Sequence, residues 1–172
     1  MKTKITLFLM SLAVLISCSK GNDEVIETTA NLDQLVPVTF FETDLIAGQN
    51  ITIGTVNFAM DNNDLIVTYQ TVGTWEIQET HLFVGDRTDL PTNRPGNPII
   101  GRFPYSGVHD AGTNQVVYTI PSVQAGINYI AAHAVVIDTS TGVTETAWGD
   151  GEPIGGHSWA MGFEITVPGG PF

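Results

Sequence analysis

What this chain has little of narrows its identity considerably. It holds one cysteine in 172 residues, so no internal disulfide is open to it and its stability must come from a buried core. Six Lys+Arg stand against 18 Asp+Glu, a formal net charge of −12 at pH 7. Such a balance argues against nucleic acid and against electrostatic attachment to anionic lipid. It remains compatible with divalent cations and with a life outside the cell. No apolar run reaches the roughly 20 residues that a membrane-crossing helix needs; the longest, Ile5 to Ile16, falls short. Runs of good helix formers are scarce beside 18 Gly and 9 Pro, which favours strands and turns. The chain has no Gly-x-Ser-x-Gly elbow, no serine in a triad context and no phosphate-cradling glycine loop ahead of a helix. Nucleophilic catalysis is therefore without a recognisable apparatus.

What is present begins with an address. Lys2 and Lys4 precede the apolar run, in the manner of the n- and h-regions of a signal peptide, and the run ends Leu15-Ile16-Ser17-Cys18. This segment resembles a lipobox, the recognition site of the lipoprotein signal peptidase. The resemblance implies that residues 1–17 are removed and that Cys18 carries lipid. Lipidation also accounts for a lone thiol in an oxidising compartment. Each buried CH₂ contributes ~0.8 kcal/mol, so several acyl chains together hold a membrane firmly. The next residues, Ser19-Lys20-Gly21-Asn22-Asp23-Glu24, are similar to the Lys-then-acidic export signal of Bacteroidetes-type lipoproteins, with Gly21-Asn22 inserted. That similarity implies an outer-membrane protein facing the exterior, with a periplasm-facing protein as the alternative. Residues 18–33 read as lipidated cysteine plus flexible acidic tether, and 34–172 as one domain.

Period-two patterning runs from about Val36 onward. Gln49 to Met60 predicts a strand, Asp61-Asn62-Asn63-Asp64 a turn and Leu65 to Gln70 the returning partner. Thr74 to Val84 alternates, with Trp75, Ile77, Glu79, His81 and Phe83 expected on one face. Thr74, Glu76, Gln78, Thr80, Leu82 and Val84 are expected on the other. Gln115 to Ile120 is a further strand. Tyr129 to Ile137 is apolar on both faces apart from His133, which predicts a central strand covered on each side. Val143 to Trp148 and Trp159 to Val167 complete the set. The expected fold class is all-β, an antiparallel β-sandwich with immunoglobulin-like or jelly-roll wiring. One segment breaks the rhythm: Asp86 to Asn114 is a long connection with four prolines, and connections of that length in a compact domain are often functional.

An ordered set of motifs runs through these strands. It comprises His81-Leu82-Phe83-Val84-Gly85, Gly96-Asn97-Pro98, Gly101-Arg102-Phe103-Pro104-Tyr105, Ala131-Ala132-His133-Ala134, Glu145-Thr146-Ala147-Trp148-Gly149-Asp150-Gly151 and Ser158-Trp159-Ala160-Met161. From about Gly54 to Val167 the chain resembles a widespread, poorly characterised extracellular β-sandwich module of secreted and cell-surface proteins. The resemblance implies a β-rich module often attached to other surface domains and implies no particular activity. One departure is Gly162, where relatives tend to carry an aromatic residue.

Three constellations are candidates for function. His81 and His133 sit on otherwise apolar faces, with Glu79, Glu145 and Asp150 nearby in sequence. If those faces converge, His81, His133, Glu145 and Asp150 suit Zn²⁺; alternatively the histidines belong to a satisfied structural network. Arg87, Arg94 and Arg102 all fall in the long connection, beside Phe103 and Tyr105. Arginine forks with flanking aromatics suit an acidic glycan or a protein partner. Alternatively the arginines pin the segment to Asp86, Asp89 and Asp110. Asp61 to Asp64 and Asp150-Gly151-Glu152 offer oxygens of the kind Ca²⁺ takes, though Asp and Asn also dominate plain turns. The expectation is a lipid-anchored surface binding, adhesion or envelope-accessory module without catalytic activity and without a required cofactor. The alternatives are a small metal-dependent hydrolase using the His/Glu cluster and a purely structural subunit of an outer-membrane complex.

Overall fold

A computed structural model describes residues 37–169; the expected leader, Cys18 and the expected acidic tether lie outside them. The described chain forms ten strands: β1 (Val38–Ala47), β2 (Ile51–Asp61), β3 (Asp64–Thr71), β4 (Trp75–Gly85), β5 (Tyr105–Val108), β6 (Gln115–Ile120), β7 (Gly126–Asp138), β8 (Val143–Gly149), β9 (Glu152–Pro153) and β10 (Met161–Val167). Two short 3₁₀ turns, Arg87–Asp89 and Ile100–Arg102, lie between β4 and β5. Among the described residues no helix is long and apolar enough to cross a membrane.

The strands form one antiparallel sheet in the order β5-β4-β7-β8-β1-β2-β3-β6, with β10 also paired to β7 and β9 to β10. The sheet curls until β3 and β6 lie over β4. Tyr118 of β6 meets Tyr69 of β3 and Tyr105 of β5 at centroid distances of 6.2 and 6.1 Å, and its hydroxyl lies 2.7 Å from Thr80 Oγ1. Backbone N–H groups of Thr71 and Ile77 donate to the carbonyls of Asn114 and Thr113, strapping the seam. The antiparallel β-sandwich is thus borne out, its two layers being halves of a single, nearly closed sheet.

The β2–β3 hairpin forms where alternation on both sides meets Asp61 to Asp64. The register Met60↔Leu65 leaves Asn62 and Asn63 at the tip, and Asn62 takes the left-handed φ of 55° that asparagine tolerates. Gly54 is required in β2 for a different reason, since a Cβ there would run into the Gln70 carbonyl of β3. Alternating side chains from both layers fill the interior, including Leu45, Ile53, Val56, Phe58, Leu65, Val67, Tyr69, Leu82, Ile130, Val136 and Ile165. Fully burying one such side chain contributes roughly 1.5–3 kcal/mol.

The long strand β7 is the axis of the molecule. It pairs with β4 along one edge and, along the other, with β10 through residues 126–130 and β8 through residues 133–138. Ile130, Ala132, Ala134 and Val136 face the main core. Tyr129 and Ala131 face a second apolar cluster with Phe83, Leu90, Phe103, Trp148 and Ala160. The expected double coverage of this strand is present, and the second cover comes from the proline-rich segment after β4 and the turn before β10.

Two expectations need correction. The Asp86 to Asn114 connection contains a strand, β5, because Tyr105-Ser106-Gly107-Val108 pairs with the open edge of β4 from Leu82 to Glu79. The clean alternation of β4 also fails. Ile77 pairs with Val136 and Glu79 with Val135, so Gln78 is the extra residue of a β-bulge. The bulge changes the face in mid-strand. Trp75 and Ile77 lie on the core side with Thr80 and Leu82, whereas Glu79, His81 and Phe83 point to the opposite side.

Candidate functional site

The bulge at Gln78 delivers His81 to the outer face of β4, directly opposite His133 of β7. The pair is in register with ring centroids 5.5 Å apart, and Trp148 of β8 follows at 4.7 Å from His133. His133 is 2% exposed. Its burial, and secondarily the neighbouring His81, push its pKa from 6.5 down to about 3, so the imidazole is neutral. His81 Nε2 lies 3.6 Å from a Glu79 carboxylate oxygen. The Nδ1 atoms of both rings are buried without a hydrogen-bond partner.

The carboxylates expected beside them are elsewhere. Glu145 is the register partner of Val136, so β8 turns it to the opposite face of the sheet, where its carboxylate lies over Gly48. Asp150 is exposed beyond the end of β8, with its backbone N–H donating to the Asp44 carbonyl and its own carbonyl accepting from Thr43 Oγ1. The His–His pair forms; the four-residue set does not come together. Among the described residues no three His, Cys, Asp or Glu side chains gather in a metal-holding arrangement. The acidic turn at Asp61 is occupied with its own structure: Asn62 donates to Asp61, and Asp64 accepts from the Ser122 N–H.

The arginine-bearing segment is built as a platform. Leu90 and Phe103 anchor it, buried in the second apolar cluster, with Phe103 6.0 Å from Phe83. Asn93 accepts from the Asn97 N–H at 3.0 Å, and Asn97 in turn accepts from the N–H groups of His157 and Ser158 at 2.7 and 2.9 Å. A backbone bridge joins Thr92 to Pro98. The segment is thereby tied to the 154–160 turn by side-chain amides in place of a ladder.

Arg87, Arg94 and Arg102 are all exposed on this platform. Among the described residues none has a carboxylate within 4.0 Å; the one contact of that kind between a basic nitrogen and a carboxylate is His81 Nε2 to Glu79. Asp86, an expected partner, instead caps the first 3₁₀ turn through the Thr88 N–H and hydroxyl, which hold its carboxyl below the usual range. The two aromatics of the expected set are structural: Phe103 is buried, and Tyr105 is half-buried against the main core.

Sequence reasoning missed the surroundings of Arg87. Its guanidinium lies 4.8 Å over the ring of Tyr129. The two line a cleft of about 460 Å³ with Gly151, Glu152, Gly162, Phe163 and Glu164. Register explains the assembly: Glu164 pairs with Tyr129 across β10–β7, and Glu152 pairs with Gly162 across β9–β10. Burial raises the Tyr129 phenol pKa; Arg87 opposes this and Glu164 adds to it. The Tyr129 hydroxyl is buried, has no partner and lies against Gly162, where any Cβ would collide with it. The one signal available beforehand was the glycine at 162, where the resemblance leads one to expect an aromatic residue.

His109 was also unforeseen. Its Nε2 lies 2.7 Å from Thr80 Oγ1, which also meets the Tyr118 hydroxyl, so this buried hydroxyl is satisfied at the β5–β6 seam. No family model, no curated protein and no solved structure matches this chain.

Proposed function

We propose that this chain is a lipid-anchored cell-surface binding module without catalytic activity, and that the arginine-bearing platform between β4 and β5 is its contact surface. One observation carries the reading. In a chain with 18 acidic residues, three exposed arginines stand on a packed, hydrogen-bonded segment with no carboxylate within 4.0 Å among the described residues. Guanidinium groups in this state are open to carboxylate or sulfate oxygens, which they engage through paired hydrogen bonds. A rigid platform also loses little conformational freedom on binding. The partner class is an acidic glycan. Lipid on Cys18 would hold the domain at the outer membrane, displayed to the exterior.

The metal-dependent hydrolase is the weaker reading because Glu145 and Asp150 lie away from the two imidazoles. A purely structural role in a larger complex gives no reason for arginines left open on a fixed segment.

The test is retention of the intact chain, in detergent, on immobilised polygalacturonate and dextran sulfate, with neutral dextran as the blank. Retention on the acidic polymers should fall with added salt and drop at least about tenfold, the equivalent of ~1.4 kcal/mol, in the Arg94→Ala/Arg102→Ala variant. Equal retention on neutral dextran, or indifference to the double substitution, sinks the proposal. The anchor is checked separately: palmitate labelling should disappear in Cys18→Ser, and protease added to intact cells should remove the domain.

A further inference from the structure

We propose that the cleft beneath Arg87, beside the face that Arg94 and Arg102 present, is a second site that takes a small zwitterion, a free amino acid or a dipeptide with both termini charged. The proposal rests on the binding-module reading only in treating Arg87 as open to ligand.

The cleft's charges set the ligand class. Arg87 supplies one cation and Glu152 and Glu164 supply two carboxylates around a space of about 460 Å³. None of these acidic groups lies within 4.0 Å of the guanidinium. The opposite charges are therefore held apart and can engage different ends of one molecule. A purely anionic ligand would face the two carboxylates, and a purely cationic one would face Arg87. A molecule with a carboxylate at one end and an ammonium at the other satisfies both.

The cleft is also preorganised. Stacking on Tyr129 restrains the Arg87 side chain, so less freedom is lost when it binds. Both glutamates project from paired strands, Glu164 opposite Tyr129 and Glu152 opposite Gly162. Tyr129 is 3% exposed and fixed between its strand neighbours, so the ring beneath Arg87 is a rigid floor for the cleft.

The probe is L-alanyl-L-alanine, titrated calorimetrically into the intact chain in detergent, against its N-acetyl and C-terminal amide forms. The free dipeptide should bind. Blocking either terminus should weaken binding at least about tenfold, as should Arg87→Gln and Glu164→Gln. Both substituted residues are exposed, so the variants should retain the wild-type melting curve. The Arg94→Ala/Arg102→Ala variant should bind the dipeptide as the wild type does. No binding of the free dipeptide at millimolar concentration, or equal binding of the blocked forms, overturns the proposal. Retention on acidic polymers with no dipeptide binding would leave the platform standing and remove this site; the reverse pattern would do the opposite.

Discussion

His81 and His133 face each other across neighbouring strands with their rings 5.5 Å apart, and the second is held neutral by its own burial and, secondarily, by the first. In the unfolded chain His133 takes up a proton near pH 6.5, whereas in the folded state it does so only near 3. Between those values the unfolded state binds more protons, so stability falls as the pH is lowered from about 6.5 towards 3. The loss attributable to this one group is at most about 5 kcal/mol, at ~1.4 kcal/mol per pH unit. Urea midpoints measured across that window should decline in the wild type and decline less in His133→Gln. Identical slopes would assign the acid sensitivity to other groups.

Gln78 is extruded from the β4 ladder as an extra residue, so the alternation resumes unchanged on its far side. Deleting it joins Ile77 to Glu79 as consecutive partners of Val136 and Val135, and Trp75, Ile77, Thr80 and Leu82 all keep their places on the core side. The deletion should leave a single cooperative transition in calorimetry; loss of cooperativity would show that the bulge itself holds the strand. Gln78→Ala, which keeps the extra backbone residue, should melt within a few degrees of the wild type.

Phe103 fastens the arginine platform. Truncating a buried phenylalanine to alanine costs about 3–5 kcal/mol where the surroundings cannot collapse. Phe103→Ala should approach the lower figure because it lies in the smaller cluster. Amide exchange should accelerate first at residues 87–104 and 154–160, ahead of β2 and β3. Uniform acceleration would mean that the platform and the main sheet open together.

Gly162 and Tyr129 are coupled by shape. A Cβ at 162 would meet the Tyr129 hydroxyl, and the Ile130 carbonyl oxygen at 2.8 Å, so Gly162→Ala should destabilise by about 1–3 kcal/mol. Tyr129→Phe removes the hydroxyl and should recover part of that loss in the double variant. Strict additivity of the two changes would show that the hydroxyl is not the obstacle.

Much of the architecture was legible because it rests on short-range pattern. The β2–β3 hairpin follows from two alternating runs around Asp61 to Asp64, and the doubly covered β7 from its unbroken apolar sequence. The site was legible only in pieces. That His81 would meet His133 depends on register between strands about 50 residues apart. That Glu145 would turn away depends on the same register, since one step of parity decides the face. The bulge at Gln78 carries no compositional mark, and β5 was hidden among prolines because a long connection rather than a tight turn separates it from its partner β4. Arg87 was identified as a candidate, but the tyrosine, glycines and glutamates around it come from β7, β10 and the stretch from Gly151 into β9, which only the fold brings together.

The central place of β7 has a consequence for the order in which the molecule forms. During synthesis the N-terminal strands appear first, and β1, β2 and β3 can pair as a local meander as soon as they emerge. Strand β4 cannot settle, because its main partner begins about 40 residues later. Until Gly126–Asp138 arrives, the unpaired edge of β4 and the apolar face of the meander are open together, which is the condition for association between incomplete chains. The slow, vulnerable step is therefore the docking of one late strand against three others, β4 already waiting and β8 and β10 still to follow. Holdase protection should matter most for chains truncated between Gly85 and Gly126.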